Sequence, residues 1–166
     1  MSREVLRMIE IASPVHELRV VASDRGLRAI LWYRHEEHRV RFAGAEIVDG
    51  STPILDDARR QLGEYFGGER EVFDLALDPV GTPFQHDAWA VLRTIPFGQT
   101  MTYGEQARRL GDPNKSRAVG AANGRNPLSI VVPCHRVIGS TGKLTGFAGG
   151  LEVKAWLLTH EQHTLL

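Results

Sequence analysis

The feature that most limits how this chain can fold is a change of grammar near residue 80. Ahead of the turn-rich stretch Asp78-Pro79-Val80-Gly81 most segments read as strands, with one helical stretch among them, and beyond it the grammar is that of helices. A chain that switches period in this way predicts an α+β protein of two domains, residues 1–80 and 81–166. Its 166 residues suffice for two small cores. Segments 5–11, 18–22 and 27–33 read as strands, separated by turn chemistry at Ser13-Pro14 and Asp24-Arg25-Gly26. Thr52-Pro53 opens a helix, because proline tolerates the first helical position, where no donor is needed. Leu55, Ala58, Leu62 and Phe66 repeat along it and Gly67-Gly68 closes it. VFDLAL at 72–77 alternates as a further strand. The first domain is therefore expected to be a small sheet with one helix on it.

The second domain reads as mostly helical. Thr82 and Gln85 form a capping-box pattern ahead of Phe84, Ala88, Leu92 and Ile95. Thr102 and Glu105 repeat the pattern for a short helix ending at Gly111, and Asp112-Pro113 starts another at once. Two short helices joined by a tight glycine-containing turn, the second one basic, are helix-turn-helix grammar of a winged-helix-like kind. A last helix, about 151–160, turns Val153, Trp156 and Leu157 to the core.

Composition excludes several classes. No apolar run approaches the ~18 residues of a membrane span. The N-terminus alternates charged and apolar residues, unlike a secretory signal. One cysteine permits no internal disulfide, its neighbours lack zinc-ligand spacing, and no cofactor motif is present. A reducing cytoplasm is the expected location. The net charge of zero conceals an asymmetry, since residues 1–80 carry a net of −4 and residues 81–166 a net of +4. Seven basic residues fall within 108–143 (Arg108, Arg109, Lys115, Arg117, Arg125, Arg136 and Lys143), against one acid, Asp112. That pattern fits a polyanion-binding face, or simply a solvated basic surface. The helix in SRAVGAANGRNP is unusual because its side chains are nearly all small. Such a helix brings its backbone close to whatever it faces, as the ~6 Å minor groove of DNA requires, or it packs closely on another helix.

The candidate chemistry centres on IVVPCHRVIG, residues 130–139. A lone cysteine is often a small buried hydrophobe. Here Pro133 is expected to end an IVV strand, leaving Cys134 at its terminus, with His135 and Arg136 as cationic neighbours that depress a thiol pKa from about 8.5. Adjacent strand residues point to opposite faces, so His135 reaches the sulfur only through a bridging water or a turn. A histidine base also needs a third group to hold its tautomer, and Glu161 is a candidate, if it is not merely a solvated helix-end carboxylate.

Taken together, Pro-Cys-His-Arg-Val at 133–137, IPFGQTMTYGEQA at 95–107, RAVGAANGRNP at 117–127, GKLTGFAGG at 142–150 and KAWLLTHE at 154–161 resemble the methylated-DNA–protein-cysteine methyltransferases. The resemblance is dense over 83–166 and loose over the first 80 residues. It implies direct-reversal DNA repair, in which an alkylated guanine is flipped out of the duplex and its alkyl group moves irreversibly to a cysteine. Whether alkylated thymine is also taken stays open. Under this resemblance Cys134 is the acceptor, His135 the water-linked base and Glu161 the carboxylate that orients it. Tyr103 crowds the flipped nucleotide's phosphate and donates toward the leaving base, Arg117 fills the gap in the stack, and Asn126 is a hinge. Ala118, Ala121, Ala122, Asn123, Gly124, Arg125 and Ser140 join Arg117 as the DNA-contacting set. Pro133, Val137, Phe147, Ala148 and Gly149 line the pocket.

The implied partner is double-stranded DNA held through the minor groove by a monomer, with cooperative assembly on DNA left open. Departures from the pattern touch the preference for alkyl size. Phe147 stands in place of a tyrosine, Ala148 in place of the serine of some members, and Asn123 in place of a large apolar residue. Three rival readings each leave something unexplained. A cysteine hydrolase does not need Arg117 on a small-residue helix, a lesion-binding relative lacks the cysteine, and a plain regulator does not account for PCHR with Glu161.

Overall fold

The computed structural model describes residues 3–32 and 40–164, with side chains to residue 162. The chain divides into two compact units, Met1–Val80 and Gly81–Leu166.

Among the described residues the first unit is a four-stranded sheet with one helix. Strands β1 (Val5–Ile11), β2 (Leu18–Ala22), β3 (Leu27–Trp32) and β4 (Glu46–Asp49) lie in the order β3-β2-β1-β4. β1 and β2 are antiparallel, with Met8 opposite Val21, as are β2 and β3, with Val20 opposite Ile30. β4 runs parallel to β1, with Leu6 opposite Ile47. Its four mostly exposed residues carry too little alternation to be read as a strand from sequence. The expected strand 27–33 is seen through Trp32, and Tyr33 lies outside the described residues. Helix α1 (Pro53–Phe66) is capped by Thr52, whose hydroxyl accepts from the Leu55 amide, and it buries Leu55, Ala58, Leu62 and Tyr65. Phe66, expected on the same stripe, is only half-buried.

The expected strand 72–77 does not form. Only Leu77 makes a bridge, to Leu27 at the start of β3. Upstream of it the Gln61 side chain stands in for a neighbouring strand, donating to the Asp74 carbonyl at 2.9 Å and accepting from the Asp74 amide at 2.9 Å. Alternation is necessary for a strand, but a second backbone must also be within reach. Gly26 is what lets the segment close on β3, since a Cβ there would lie 2.7 Å from the Ala76 carbonyl. Arg28, buried on β3, fixes the end of the unit through the Glu4 carboxylate and through both the carbonyl and the carboxylate of Asp78.

The second unit comprises α2 (Pro83–Leu92), β5 (Met101–Thr102), α3 (Tyr103–Arg109), a 3-10 turn (Pro113–Lys115), α4 (Ser116–Gly124), a second 3-10 turn (Cys134–Arg136), β6 (Val137–Ile138) and α5 (Leu151–Thr164). Both halves of the Thr82–Gln85 capping box are present. At α3 only one half forms. The Thr102 hydroxyl accepts from the Glu105 amide, and the Glu105 carboxylate bonds that hydroxyl rather than the backbone. α3 and α4 form the helix-turn-helix pair. Gln106 and Asn123 lock them together through reciprocal amide bonds of 3.0 and 2.8 Å, and Gln106 also donates to the Ala88 carbonyl of α2. The Trp89 indole donates to the Ala122 carbonyl at 2.8 Å, which seats α4 on α2. β5 and β6 pair in parallel, with Met101 opposite Val137, and form a minimal wing-like ribbon. On α5, Val153 and Leu157 are buried, while Trp156 is half-buried and stacks on His160.

Candidate active site

The segment entering the site is a turn, not the expected IVV strand. Among the described residues of this unit the one strand that offers a sheet partner is the two-residue β5, and β6, downstream of the cysteine, occupies it. Several backbone polar groups of 128–132 are satisfied locally instead. Asn126, fully buried, donates from Nδ2 to the Val132 carbonyl at 2.8 Å and accepts the Leu128 amide at 3.0 Å. The Val132 amide donates to the Leu128 carbonyl, and the Cys134 amide to the Val132 carbonyl, both at 2.8 Å. Ile130 takes φ +77° while buried, an unfavoured conformation for a β-branched residue that the surrounding bonds must over-determine.

This turn changes the relation between Cys134 and His135. In a strand the two side chains would oppose each other. In a 3-10 turn, with three residues per turn, successive side chains lie about 120° apart and both face the interior here. Cys134 is 8% exposed and His135 fully buried. His135 Nε2 meets Glu161 Oε2 at 2.6 Å across 26 residues of sequence. Arg136 adds two bonds to the same carboxylate, Nε to Oε1 at 2.8 Å and Nη2 to Oε2 at 3.1 Å. Burial alone would raise the Glu161 pKa, but the His135 and Arg136 bonds outweigh it and hold the group well below the usual carboxylate range. His135 is held below its ordinary value, chiefly by burial, with Arg136 and Lys154 adding to that and Glu161 opposing it. An ionised carboxylate only accepts, so in the neutral imidazole Nε2 carries the proton and Nδ1 the lone pair. Nδ1 is buried and finds no hydrogen-bond partner among the described residues.

A second cluster lies beside the thiol. Lys154, buried on α5, donates to the Thr145 carbonyl at 2.8 Å and lies 6.0 Å from the Tyr103 ring centroid. Thr145 Oγ1 and the Tyr103 hydroxyl bond at 3.2 Å. Burial lowers the Lys154 pKa, while the Coulomb attraction of Cys134 pulls it back up. Such an ammonium favours the thiolate. Lys154 had no expected role beyond its place in the KAWLLTHE motif, and Arg136 was expected only as a neighbouring charge. The signal was present, since 154, 157 and 161 fall on one helical stripe with buried Leu157.

The α4 surface decides what its small residues face. Arg117, Ala118, Ala121, Gly124 and Arg125 are exposed, giving a flat strip between two arginines. Ala122 and Asn123, expected on that strip, point inward instead, because the helical period turns 119, 122 and 123 to the α2–α3 side. Gly120 faces the Tyr103 ring, where an added Cβ would lie at an ordinary 3.8 Å. Ser140 is exposed after β6. Phe147 and Ala148 are half-buried and Gly149 is buried in the loop before α5, while Pro133 and Val137 are buried on either side of the 3-10 turn. Cys134, His135, Glu161, Asn126 and Tyr103, dispersed over 59 residues of sequence, thus belong to one compact unit. Among the described residues no group of three or more His, Cys, Asp or Glu side chains is placed to hold a metal ion.

Fold and site together define a class: a protein that mounts a cysteine, backed by a buried histidine and carboxylate, on a helix-turn-helix scaffold. The chain belongs to the 6-O-methylguanine DNA methyltransferase family. Residues 83–163 match that family's DNA-binding domain, and residues 6–79 its ribonuclease-like domain. The chain is 47% identical to the methylated-DNA–protein-cysteine methyltransferase of Shigella flexneri, over 98% of this chain and all of that one. It is 43% identical to that of Methanosarcina acetivorans, over 90% and 94%. Among solved structures, Mycobacterium tuberculosis OGT in complex with DNA superposes with a TM-score of 0.84 at 40% identity, covering 96% of this chain and 94% of that one.

Proposed function

We propose that this protein repairs alkylated DNA by a single transfer, taking the alkyl group of an O6-alkylguanine onto Cys134. The carrying observation is the buried relay, with His135 Nε2 on Glu161 at 2.6 Å and Nδ1 uncommitted beside the cysteine turn. Nδ1 accepts the thiol proton through one water, and Lys154 favours the resulting thiolate. The sulfur attacks the alkyl carbon, an S–C bond forms, and the C–O6 bond breaks with its electron pair passing to the base. Tyr103 donates a proton toward a guanine ring nitrogen as that charge develops. The thioether has no easy leaving group, so the protein acts once. The alkyl group and a proton balance the reaction, and no cofactor enters it.

DNA is the macromolecular partner in this reading. The exposed strip of Ala118, Ala121 and Gly124 allows the α4 backbone to approach the minor-groove floor, with Arg117 entering the stack where the base leaves. Arg125 and Ser140 reach the backbone. Ala122 and Asn123 support α4 from inside, and Asn126 is a positioning residue that holds the turn presenting Cys134. Phe147, Ala148, Gly149, Pro133 and Val137 wall the base pocket. Phe147, lacking a hydroxyl, contributes only its ring. The protein acts as a monomer, and a reducing cytoplasm suits its reactive thiol. Among the described residues no helix is long and apolar enough to cross a membrane.

The test is to incubate the protein with a duplex carrying one O6-methylguanine, digest it, and weigh the peptide containing Cys134. One methyl per protein on Cys134 and no second turnover are expected. An unmodified Cys134, or an active Cys134→Ser protein, overturns the reading. Arg117→Ala should retain transfer from the free modified base but lose it on duplex, and equal loss on both would remove the flipping role.

A further inference from the structure

The guanidinium of Arg136 has more partners than a surface-type ion pair requires. It bonds Glu161 twice, donates from Nη1 to the Ile95 carbonyl at 2.7 Å, and lies 5.8 Å from the Phe97 ring centroid. Its side chain is 8% exposed and that of Glu161 1%. Glu161 Oε2 is shared, receiving His135 Nε2 and Arg136 Nη2 together. Two donors of different kinds thus compete for one oxygen, and only one of them can change its charge near neutral pH.

We propose that Arg136 is a positioning residue for His135: anchored on the Ile95 carbonyl, it orients Glu161 and takes up much of its charge, so the imidazole stays neutral with its proton on Nε2. A lone carboxylate at 2.6 Å in a buried site would strongly favour the imidazolium, which has no lone pair to accept the thiol proton. With Arg136 present, the buried group of three carries no net charge when His135 is neutral, and a proton on His135 would add an uncompensated one. The groups facing His135 are Glu161 and Lys154 from α5, with Arg136 and Cys134 from its own turn. α2, the other helix packed there, keeps its His86 and Asp87 exposed. Lys154 acts in the same direction as Arg136, and Glu161 alone opposes them.

This rests on the reading of His135 as the base for Cys134, and the experiment separates the two. Methyl-transfer rates on an O6-methylguanine duplex are measured against pH for the wild type, Arg136→Lys and Arg136→Gln. Removing the cation raises the His135 pKa, so the rising limb of the Arg136→Gln profile should move to higher pH by on the order of one unit, a roughly tenfold loss at its acid end. Arg136→Lys should keep the limb in place while lowering the plateau, because it supplies the charge without the two-pronged geometry. An Arg136→Gln profile that is scaled down but unshifted overturns the proposal, as does an equal shift in Arg136→Lys. If Arg136→Gln does not fold by circular dichroism, 15N-histidine NMR of the wild type decides. A neutral Nε2–H tautomer for His135 across neutral pH supports the proposal, and an imidazolium there overturns it. Failure of the base reading itself appears separately, as a wild-type transfer rate that ignores His135→Ala.

Discussion

Each unit of the molecule buries an arginine against carboxylate, Arg28 in the first and Arg136 in the second, and the two clamps do different work. Arg28 in the first unit holds Glu4 and Asp78, whose side chains are 52% and 25% exposed. Arg136 in the second holds Glu161, 1% exposed, in company with fully buried His135. Water screens the first clamp, so it serves as a brace that ties the strand β3 to the end of its unit. The second is sealed, and there a single proton alters every neighbour. Similar residue types make a fastener when solvated and, on the proposed reading, a proton relay when dry and joined to a histidine.

Changing Glu161 should produce the largest effect. Glu161→Gln leaves Arg136 buried beside a neutral partner, so denaturant unfolding should show a loss of about 3–5 kcal/mol. Transfer should fall on the order of 10²–10⁴-fold if His135, as proposed, is the base and Glu161 orients it. Its folded pKa is depressed, so its stabilisation is complete above the unfolded value of about 4.3 and drains away as pH falls through the folded one. An acid titration of stability should therefore be shallower in Glu161→Gln than in the wild type. The solvated clamp should be gentler. Arg28→Met should cost about 2 kcal/mol in the same assay and leave the transfer rate unchanged. If Arg28→Met proved as costly as Glu161→Gln, the contrast between solvated and sealed clamps would fail.

The Gln106–Asn123 pair tests whether sealing matters without charge. Asn123→Ala should cost about 1–3 kcal/mol by stranding a buried amide, whereas replacing both partners by leucine should be nearly neutral. A double variant that melts as low as the single one would show that the amides fix the register of α3 and α4 and do more than satisfy each other.

Much of the scaffold was legible because local rules decide it. Thr52, Thr82 and Thr102 each cap the helix they were expected to cap. The strands β1, β2 and β3 stand where their β-forming residues and the turns between them put them. The exceptions share one cause. VFDLAL and IVV both have strand chemistry, yet neither meets a full partner strand, and the side-chain amides of Gln61 and Asn126 take up part of the backbone pairing instead. β4 went unseen for the converse reason, since it pairs through position with little pattern of its own.

For the site, the sequence by itself determined the chemistry: one cysteine, a histidine and arginine behind it, an acid on the last helix, and small residues between Arg117 and Arg125. Only the tertiary structure decided the geometry. It replaced a strand terminus by a 3-10 turn that brings Cys134 and His135 to the same interior. It also turned Asn123 inward, brought Lys154 beside the thiol, and gave Glu161 two partners rather than one. The physical reason is that residue type fixes which proton or charge a group can carry. Which form it does carry depends on burial and on neighbours 25 or more residues away, and those exist only once the unit has closed.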